Sequence, residues 1–388
     1  PQGPASIHER LKSHKKKIMR ENLRTWIEID RKALLNNVGC FLKMIPASAK
    51  FMAMVKSNAY GHGLSLVAEE LSKSRPDIWF GVDSITEGRR LRKDKIKNPI
   101  LVLGHTVPTK FKEAYSHKII ITVSDFKSLQ KLSIAGNKPN FFIKIDSGMH
   151  RQGFLPKDAP EMMKFLKDKK INPLGIFTHL ASPADPKHNW FTAKQLGEFK
   201  KVLELFKEAG YTDIIKSALS TGGTVFYPDF SLDMIRIGMG IYGYPPSLEN
   251  ISSKTKRLKP ILTWKTIISE IKDIPAGEFI GYGLTYRVAK NTKIAVLPIG
   301  YWHGYDRRLS NTGEVLVRGQ RSKVLGLVSM DMTVIDVTGI KNTKVGDEVV
   351  LLGTQGQKKI LADEISDKIK ISHYELLTRI NPLIRRIM

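Results

Sequence analysis

The sequence has a single cysteine, no long apolar run and no repeated segment. Cys40 has no second cysteine to pair with, so a disulfide within the chain is excluded, and we expect it to pack in a helix. No apolar run reaches the roughly 18–20 residues that a membrane span needs. Residues 1–24 also lack the apolar core of a secretory signal. We therefore expect a cytoplasmic protein that does not insert into membranes.

Acidic residues are few relative to basic ones. The chain has 63 Lys and Arg against 37 Asp and Glu, which gives a net charge of +26. Such a charge invites a nucleic-acid-binding hypothesis. However, the basic residues are spread along the whole chain, with no interleaved aromatic stripe and no binding motif. We favour a solvated basic surface, and we expect neither a nucleic-acid partner nor a bound metal.

Length and hydrophobic patterning indicate two folded domains. The chain has 388 residues, 41% of them hydrophobic, which is enough for two sizeable cores. Short apolar strands alternate with helical patterns, which is typical of a (β/α)8 barrel, an α/β fold. The eight predicted strands are 50–55, 78–82, 100–103, 119–123, 141–145, 173–178, 214–219 and 234–238. The helical patterns between them include 64–74, 87–93, 125–132, 159–169 and 189–209.

The pattern changes near Lys259-Pro260, after which strands dominate. We predict a basic N-terminal extension over 1–23, a barrel over 24–258 and a mainly β C-terminal domain over 259–388. The predicted C-terminal strands are 261–273, 293–298, 313–318, 322–328, 332–337 and 348–352. Two helices are predicted late in the chain, over 361–368 and 373–379.

The stretch FMAMVKSNAYGHG, residues 51–63, places a lysine at the C-terminal end of a buried strand. That end carries the chemistry in α/β barrels. Apolar surroundings disfavour a charged amine, and a neutral amine can attack an aldehyde to form a Schiff base. A lone lysine is more often a surface residue, but Tyr60, His62 and two glycines follow it closely. Lys56 is therefore a candidate nucleophile.

This stretch resembles the V-K-A-N-A-Y-G-H-G signature of the alanine racemases, the barrel-type pyridoxal 5'-phosphate (PLP) enzymes, with Ser57 in place of Ala. The resemblance implies that Lys56 holds PLP covalently and that Tyr60 donates to the PLP phosphate. It also implies that an early strand over 24–30 packs on the second domain, as in that family.

The motif KIDSGMHR resembles the family's K-x-D-T-G-M-G-R. The match implies that Arg151 orients the PLP hydroxyl and the substrate carboxylate, using its fork of donors. It also implies that Lys144 corresponds to the lysine that is often carbamylated. His150 departs from the family's Gly. The alternative for Lys144 is a barrel lysine paired with Asp146.

Three further barrel motifs follow in the family order. His179, in FTHL, would lie near the PLP ring, and Thr221, in STGG, would bind the phosphate. MIRIGMGIYG resembles M-x-R-x-G-I-x-x-Y-G, which places Arg236 at the pyridine nitrogen and the backbone of Gly238 and Met239 at the phosphate. A guanidinium keeps its proton, so the ring stays a weak electron sink and proton return is favoured over transamination.

The motif YGLTY matches the family's Y-G-x-T-Y, in which the tyrosine comes from the partner subunit. The match implies a homodimer with two catalytic bases, Lys56 and Tyr282, on opposite faces of the substrate. Tyrosine has a reference pKa near ~10, so Tyr282 needs positive charge nearby, for which His179 and Arg236 are candidates.

The remaining motifs imply contacts with substrate and phosphate. In PIGY, Tyr301 would line the substrate entrance, although Trp302-His303-Gly304 replaces the usual A-D-G. In SMD, Met330 and Asp331 would lie at the substrate carboxylate. Tyr374, in HYELLTRI, would reach the PLP phosphate.

The predicted function is a PLP-dependent racemase that interconverts L- and D-alanine for peptidoglycan. The alternative of a serine or broad-specificity racemase rests on residues 220–223, His150 and Trp302. A barrel-type decarboxylase, a PLP carrier without catalysis and a basic nucleic-acid-binding protein are further alternatives.

Overall fold

The structure is a computed structural model that describes residues 22–246 and 255–388. The greater part of the predicted N-terminal extension, residues 1–21, lies outside the described residues. Two compact units are formed. One contains residues 30–261, and the other combines 22–29 with 262–388.

The first unit is built on eight parallel strands that form a nearly closed barrel, which confirms the predicted fold class. The strands are β2 Lys50–Met54, β3 Trp79–Val82, β4 Ile100–His105, β5 Ile120–Val123, β6 Phe141–Lys144, β7 Gly175–Phe177, β8 Ile215–Ser217 and β9 Met234–Ile237. Strand β9 pairs with β2, and each strand from β2 to β7 pairs with the next. Most of the residues in these strands are buried.

Eight α-helices surround these strands in the described part of the unit. They are α1 Arg31–Leu42, α2 Leu64–Ser74, α3 Ile85–Lys93, α4 Phe111–Ser116, α5 Phe126–Ile134, α6 Ala159–Asp168, α7 Asn189–Glu208 and α8 Thr221–Phe226. The short helix α4 was not predicted, because six residues are too few to show a helical period. The six-residue helix α8 and the 3-10 helix Pro228–Phe230 lie between β8 and β9, where no long helix was predicted.

An apolar cluster lies inside the barrel. It contains Met52, Met54, Trp79, Leu101, Ile120, Phe142, Phe177 and Met234. Side chains two apart on a strand point to the same face. Lys144 follows Phe142, and Arg236 follows Met234, in this spacing. The polar side chains therefore lie on top of the apolar core, at the C-terminal ends of the strands.

The second unit contains two sheets in which most neighbouring strands are antiparallel. The larger sheet has the order β14-β13-β16-β10-β1-β18, with β17 paired to β16, and the smaller has the order β11-β12-β15. Strand β1 pairs antiparallel with β10. The strands are β1 Thr25–Ile29, β10 Leu262–Ile267, β11 Glu270–Ile274, β12 Thr292–Leu297, β13 Glu314–Val317, β14 Gln320–Lys323, β15 Thr333–Asp336, β16 Glu348–Gln355, β17 Lys358–Ile360 and β18 Arg385–Ile387.

Several C-terminal predictions were wrong in detail. The predicted strand 261–273 is two strands, β10 and β11, which belong to different sheets. The predicted strand 322–328 ends at Lys323, and Gly326 then adopts a positive φ of 74°. Strands β17 and β18, of three residues each, were not predicted. The two late helices are confirmed as α9 Ala362–Ile369 and α10 His373–Thr378.

No helix in the described ranges is both long and apolar enough to cross a membrane.

Candidate active site

The turn after β2 presents Lys56 in an unusual backbone. Ser57, Asn58, Ala59 and Tyr60 have φ angles of 54°, 55°, 53° and 51°, so four consecutive non-glycine residues are left-handed. Each such residue costs about 1–2 kcal/mol for an L-amino acid. The turn closes through bonds from the Ala59 amide to the Val55 carbonyl, 2.8 Å, and from the Gly63 amide to the Asn58 carbonyl, 2.9 Å. The half-buried Lys56 is thus held by a strained but bonded segment.

Aromatic rings pack against the turn that follows Lys56. The Tyr242 hydroxyl donates to the Met54 carbonyl over 2.8 Å, and its ring stacks on that of His62, with centroids 4.3 Å apart. The Tyr60 ring packs on Tyr242 at 5.4 Å. The His62 imidazole Nδ1 lies 2.9 Å from the Tyr60 carbonyl. His62, which the sequence singled out next to Lys56, is therefore a buried residue that holds the turn.

Arg236 is buried at the end of β9, with 2% of its surface exposed. Its guanidinium donates to the Ser217 hydroxyl, to the Thr178 carbonyl over 2.6 Å and to the Ala218 carbonyl over 3.1 Å. The group also lies 5.0 Å above the Phe177 ring centroid. Burial lowers its pKa to about 9, so it remains protonated at neutral pH. The three acceptors fix the orientation of the Arg236 guanidinium.

Lys144 is buried at the end of β6, beside the same ring. Its Nζ donates to Gln152 Oε1 over 3.1 Å and lies 5.7 Å from the Phe177 centroid. The alternative of an ion pair with Asp146 is not what the structure shows. The Asp146 carboxylate instead accepts backbone amides of the following loop, from Gly148, His150 and Arg151, at 3.1, 2.8 and 2.8 Å. Asp146 therefore shapes the loop that carries Arg151.

Positive charges converge at this end of the barrel. The pKa of Lys144 is lowered to about 8 by burial and by Arg151, Arg236 and Lys56, against the opposing charge of Asp146. Burial and the same cations, together with Lys144, lower the pKa of His179 to about 3. With this pKa His179 would be neutral at physiological pH, which favours Arg236 over His179 as the source of positive charge. Arg236 does carry such a charge.

Thr221, at the first turn of α8, meets the backbone after β9. Its hydroxyl oxygen accepts from the Gly238 amide over 3.2 Å and from the Gly240 amide over 3.4 Å. The hydroxyl proton remains for another acceptor. Met239 follows Gly238 and is buried. The residues predicted to bind phosphate from this side are thus gathered in one place.

In the second unit, Tyr282 is 72% exposed on a short 3-10 turn, Tyr282–Leu284. Gly281 and Gly283 flank it with φ angles of 71° and 66°. Positive φ favours glycine, which explains the Gly-Tyr-Gly sequence. The side chain therefore projects from its own unit.

Two loops of the second unit bring Tyr301 and Met330 together. The Tyr301 amide donates to the Ser329 carbonyl, and the Trp302 amide donates to the Met330 carbonyl, each over 3.0 Å. Met330 and Tyr301 are both exposed. His303, which replaces the family's Asp, accepts the Gly300 amide at its Nδ1 over 3.2 Å. The His303 side chain thus caps this short turn.

Asp331 is also exposed, and its carboxylate lies 3.9 Å from His303 Nδ1. Tyr374, on α10, is 42% exposed.

Sequence reasoning missed three supporting residues: Glu87, Gln152 and Ser217. Glu87 binds the turn after Lys56, Gln152 accepts from Lys144, and Ser217 accepts from Arg236. Of the three, only Ser217 could have been suspected from the sequence. It lies two residues after Ile215 on the same strand, so the two side chains point to the same face of the sheet.

Comparison with known proteins finds matches over most of the described length. A family model described as "Alanine racemase, N-terminal domain" matches residues 29–246, and one described as "Alanine racemase, C-terminal domain" matches residues 261–388. Alanine racemase of Leptospira interrogans serogroup Icterohaemorrhagiae serovar Lai is 35% identical over 381 residues, covering 95% of this chain and 97% of that protein. The Halothermothrix orenii alanine racemase is 37% identical over 372 residues, covering 93% and 96%.

Solved structures agree. The alanine racemase of Clostridium difficile 630 superposes with a TM-score of 0.88 at 32% identity, covering 94% of this chain and 95% of that one. The Bacillus anthracis alanine racemase, determined with bound L-Ala-P, gives a TM-score of 0.87 at 30% identity, covering 94% and 95%. With both family models matched and near full-length relatives above 30% identity, this chain belongs to the alanine racemase family.

Proposed function

We propose that this chain is a PLP-dependent alanine racemase that interconverts L- and D-alanine and supplies D-alanine for peptidoglycan. One observation carries the proposal: Lys56, Lys144, Arg151 and Arg236 converge at the C-terminal end of the barrel, with Asp146 as the opposing carboxylate. Such an excess of positive charge suits a ligand with a phosphate and a carboxylate. The family to which the chain belongs depends on PLP.

The residues present fit PLP. When bound, the cofactor supplies a conjugated ring that accepts the electrons left by the departing α-proton. Lys56 would supply the amine that condenses with the cofactor aldehyde, with loss of water. Arg236, fixed by three acceptors, would donate to the pyridine nitrogen. Its pKa stays above neutral, so it would hold its own proton there.

The phosphate end would be held by small groups. Thr221 has a hydroxyl proton left to donate, and the Tyr60 hydroxyl lies so near Gly238 that any larger residue there would displace it. The Gly238 and Met239 backbone lies beside them, and Tyr374 is proposed to reach the phosphate as well. A glycine at 238 permits this close approach.

Proton transfer is proposed to use two bases. Lys56 would take or return the α-proton on one face, and Tyr282 would act on the other. His179 would contact the cofactor ring as a neutral imidazole. Because Tyr282 projects from its own unit, we propose that it serves the partner's site in a homodimer.

The substrate carboxylate would be held by Arg151 and by the loop at Met330 and Asp331, with Tyr301 at the entrance. The related Bacillus anthracis structure holds L-Ala-P, which supports a small amino-acid substrate here. Lys144 is proposed to react with carbon dioxide, since a pKa near 8 leaves a neutral fraction of its amine at pH 7–8.

A chiral assay tests this function. Purified protein with PLP would be given L-alanine and L-serine separately, and the D-product would be quantified. Rapid D-alanine with little D-serine is expected. Comparable or faster D-serine would move the assignment to a serine or broad-specificity racemase. No D-product from either substrate, with PLP bound, would refute racemase function.

A further inference from the structure

Nothing in the sequence of the turn after Lys56 forces it into the left-handed region. Ser57, Ala59 and Tyr60 are residues that rarely adopt positive φ, and only Asn58 tolerates it well. A conformation of this kind persists only where surrounding contacts hold it. The contacts that reach Asn58 therefore decide whether Lys56 keeps its place.

One of these contacts comes from a different strand-to-helix segment. The Glu87 carboxylate accepts the Asn58 amide at one oxygen, 3.3 Å, and the Asp83 amide at the other, 2.8 Å. Asn58 in turn accepts the Leu64 amide, at the start of α2, over 2.9 Å. Glu87 thus joins the segments that follow β2 and β3 at the level of Lys56.

The local sequence predicts a different hydrogen bond for the Glu87 carboxylate. Ser84-Ile85-Thr86-Glu87 is a capping-box pattern, in which the glutamate would reach back to the Ser84 amide. The Ser84 hydroxyl does accept the Glu87 amide, at 3.4 Å. The carboxylate, however, binds Asp83 and Asn58 instead, so a group suited to local capping makes a long-range contact.

The charge of Glu87 also reaches the rings beneath the turn. Together with burial and Tyr60, it raises the pKa of Tyr242 well above its usual value. Tyr242 is the residue on which His62 and Tyr60 pack. Glu87 therefore lies close to the whole assembly that orients Lys56 and Tyr60.

We propose that Glu87 is a positioning residue that holds the left-handed turn and thereby aims Lys56 and Tyr60. It touches no reacting atom and acts through the Asn58 amide. The consequence for cofactor binding rests on the proposed function, whereas the effect on the turn does not.

Hydrogen–deuterium exchange of the full chain, measured both without and with added PLP, tests the structural claim, with peptides covering 56–63 and 85–93 followed separately. In Glu87→Gln the side-chain oxygen can accept a hydrogen bond from only one of the two backbone N–H groups. The side-chain NH2 group, which is a donor, faces the other backbone N–H and cannot accept from it. Loss of a hydrogen bond to a charged acceptor is expected to speed exchange in 56–63 by at least about tenfold. Unchanged exchange in 56–63 would overturn the proposal, even if the protein proved to have no racemase activity.

Ser84→Ala is the matched control, because it removes the cap of α3 and leaves the Glu87 carboxylate in place. It should speed exchange in 85–93 but not in 56–63. Equal effects of Ser84→Ala and Glu87→Gln on 56–63 would mean that Glu87 acts only by stabilising its helix, which would also overturn the proposal.

A rescue variant adds a second readout. Ser57 is exposed, and glycine adopts its φ of 54° without strain. Ser57→Gly in the Glu87→Gln background should slow exchange in 56–63 and slow the release of PLP, followed by absorbance, relative to Glu87→Gln alone. If Ser57→Gly leaves the exchange of 56–63 unchanged, Glu87 does not act by holding the left-handed turn.

Discussion

The Tyr60 hydroxyl lies against the α-carbon of Gly238, so that a Cβ at position 238 would stand 2.9 Å from the tyrosine oxygen. The contact joins the turn after β2 to the end of β9, two segments far apart in sequence. It leaves no room for a side chain where the phosphate is proposed to bind.

Gly238→Ala is therefore expected to displace the Tyr60 hydroxyl and to weaken PLP binding by about tenfold or more, since overpacking commonly costs ~1–3 kcal/mol. PLP titration of the cofactor-free protein measures the effect. Gly197→Ala is the matched control, because a Cβ there meets nothing within 4 Å. Equal affinity in the two variants would argue against the proposed phosphate site.

As a free amine, in buffers depleted of carbon dioxide, Lys144 is expected to lower the stability of the folded chain below pH 8. Its pKa falls from 10.5 in the unfolded chain to about 8 in the folded one. Below pH 8 both states are protonated, and the buried charge costs up to about 3 kcal/mol. Between pH 8 and 10.5 the unfolded state binds more protons, so wild-type stability rises with pH.

Lys144→Met should consequently stabilise the cofactor-free protein at pH 7, and the gain should fade as the pH approaches 10.5. Urea unfolding at pH 7 and pH 10 measures both values. A gain of equal size at the two pH values would show that the Lys144 charge is not the cause. Racemase activity is expected to fall in the same variant, as stability gained at functional sites often costs activity.

If each active site takes Lys56 from one subunit and Tyr282 from the other, two inactive variants should restore activity when they form mixed dimers. Lys56→Ala and Tyr282→Phe homodimers should each be inactive or nearly so, because general-base removal commonly costs ~10²–10⁴-fold. In a mixed dimer, one site combines both substitutions and the other has neither. Random mixing should therefore restore about a quarter of wild-type activity.

Tyr286→Phe, which changes a nearby tyrosine in the same motif, serves as the control and should leave activity close to wild type. If mixing Lys56→Ala with Tyr282→Phe restores no activity although mass spectrometry shows mixed dimers, Tyr282 does not serve the partner's site.

Much of the barrel could be predicted because its strands are short apolar runs that end at polar residues. The resemblance to the family motifs singled out Lys144 and Arg236 as site residues, and nothing in the local pattern did so by itself. In the structure each comes two residues after a core side chain, Phe142 or Met234, so each charge lies above the core.

The parts that could not be predicted depend on contacts between distant residues. The run 261–273 reads as one strand, yet its two halves pair with β1 and β12 in different sheets. The left-handed turn after Lys56 contains no glycine until Gly61, and the Glu87 contact that reaches it comes from 29 residues away. Similarly, His179 looks like a titrating histidine until the surrounding cations are known.

The central claim is that Lys56 is the residue that carries PLP. Borohydride reduction of the PLP-loaded protein, followed by proteolysis and peptide mass spectrometry, tests it directly. The account predicts a pyridoxyl group on the peptide containing Lys56, and none on any peptide of Lys56→Ala. A pyridoxyl group on another lysine of the wild-type protein, with Lys56 unmodified, would contradict it.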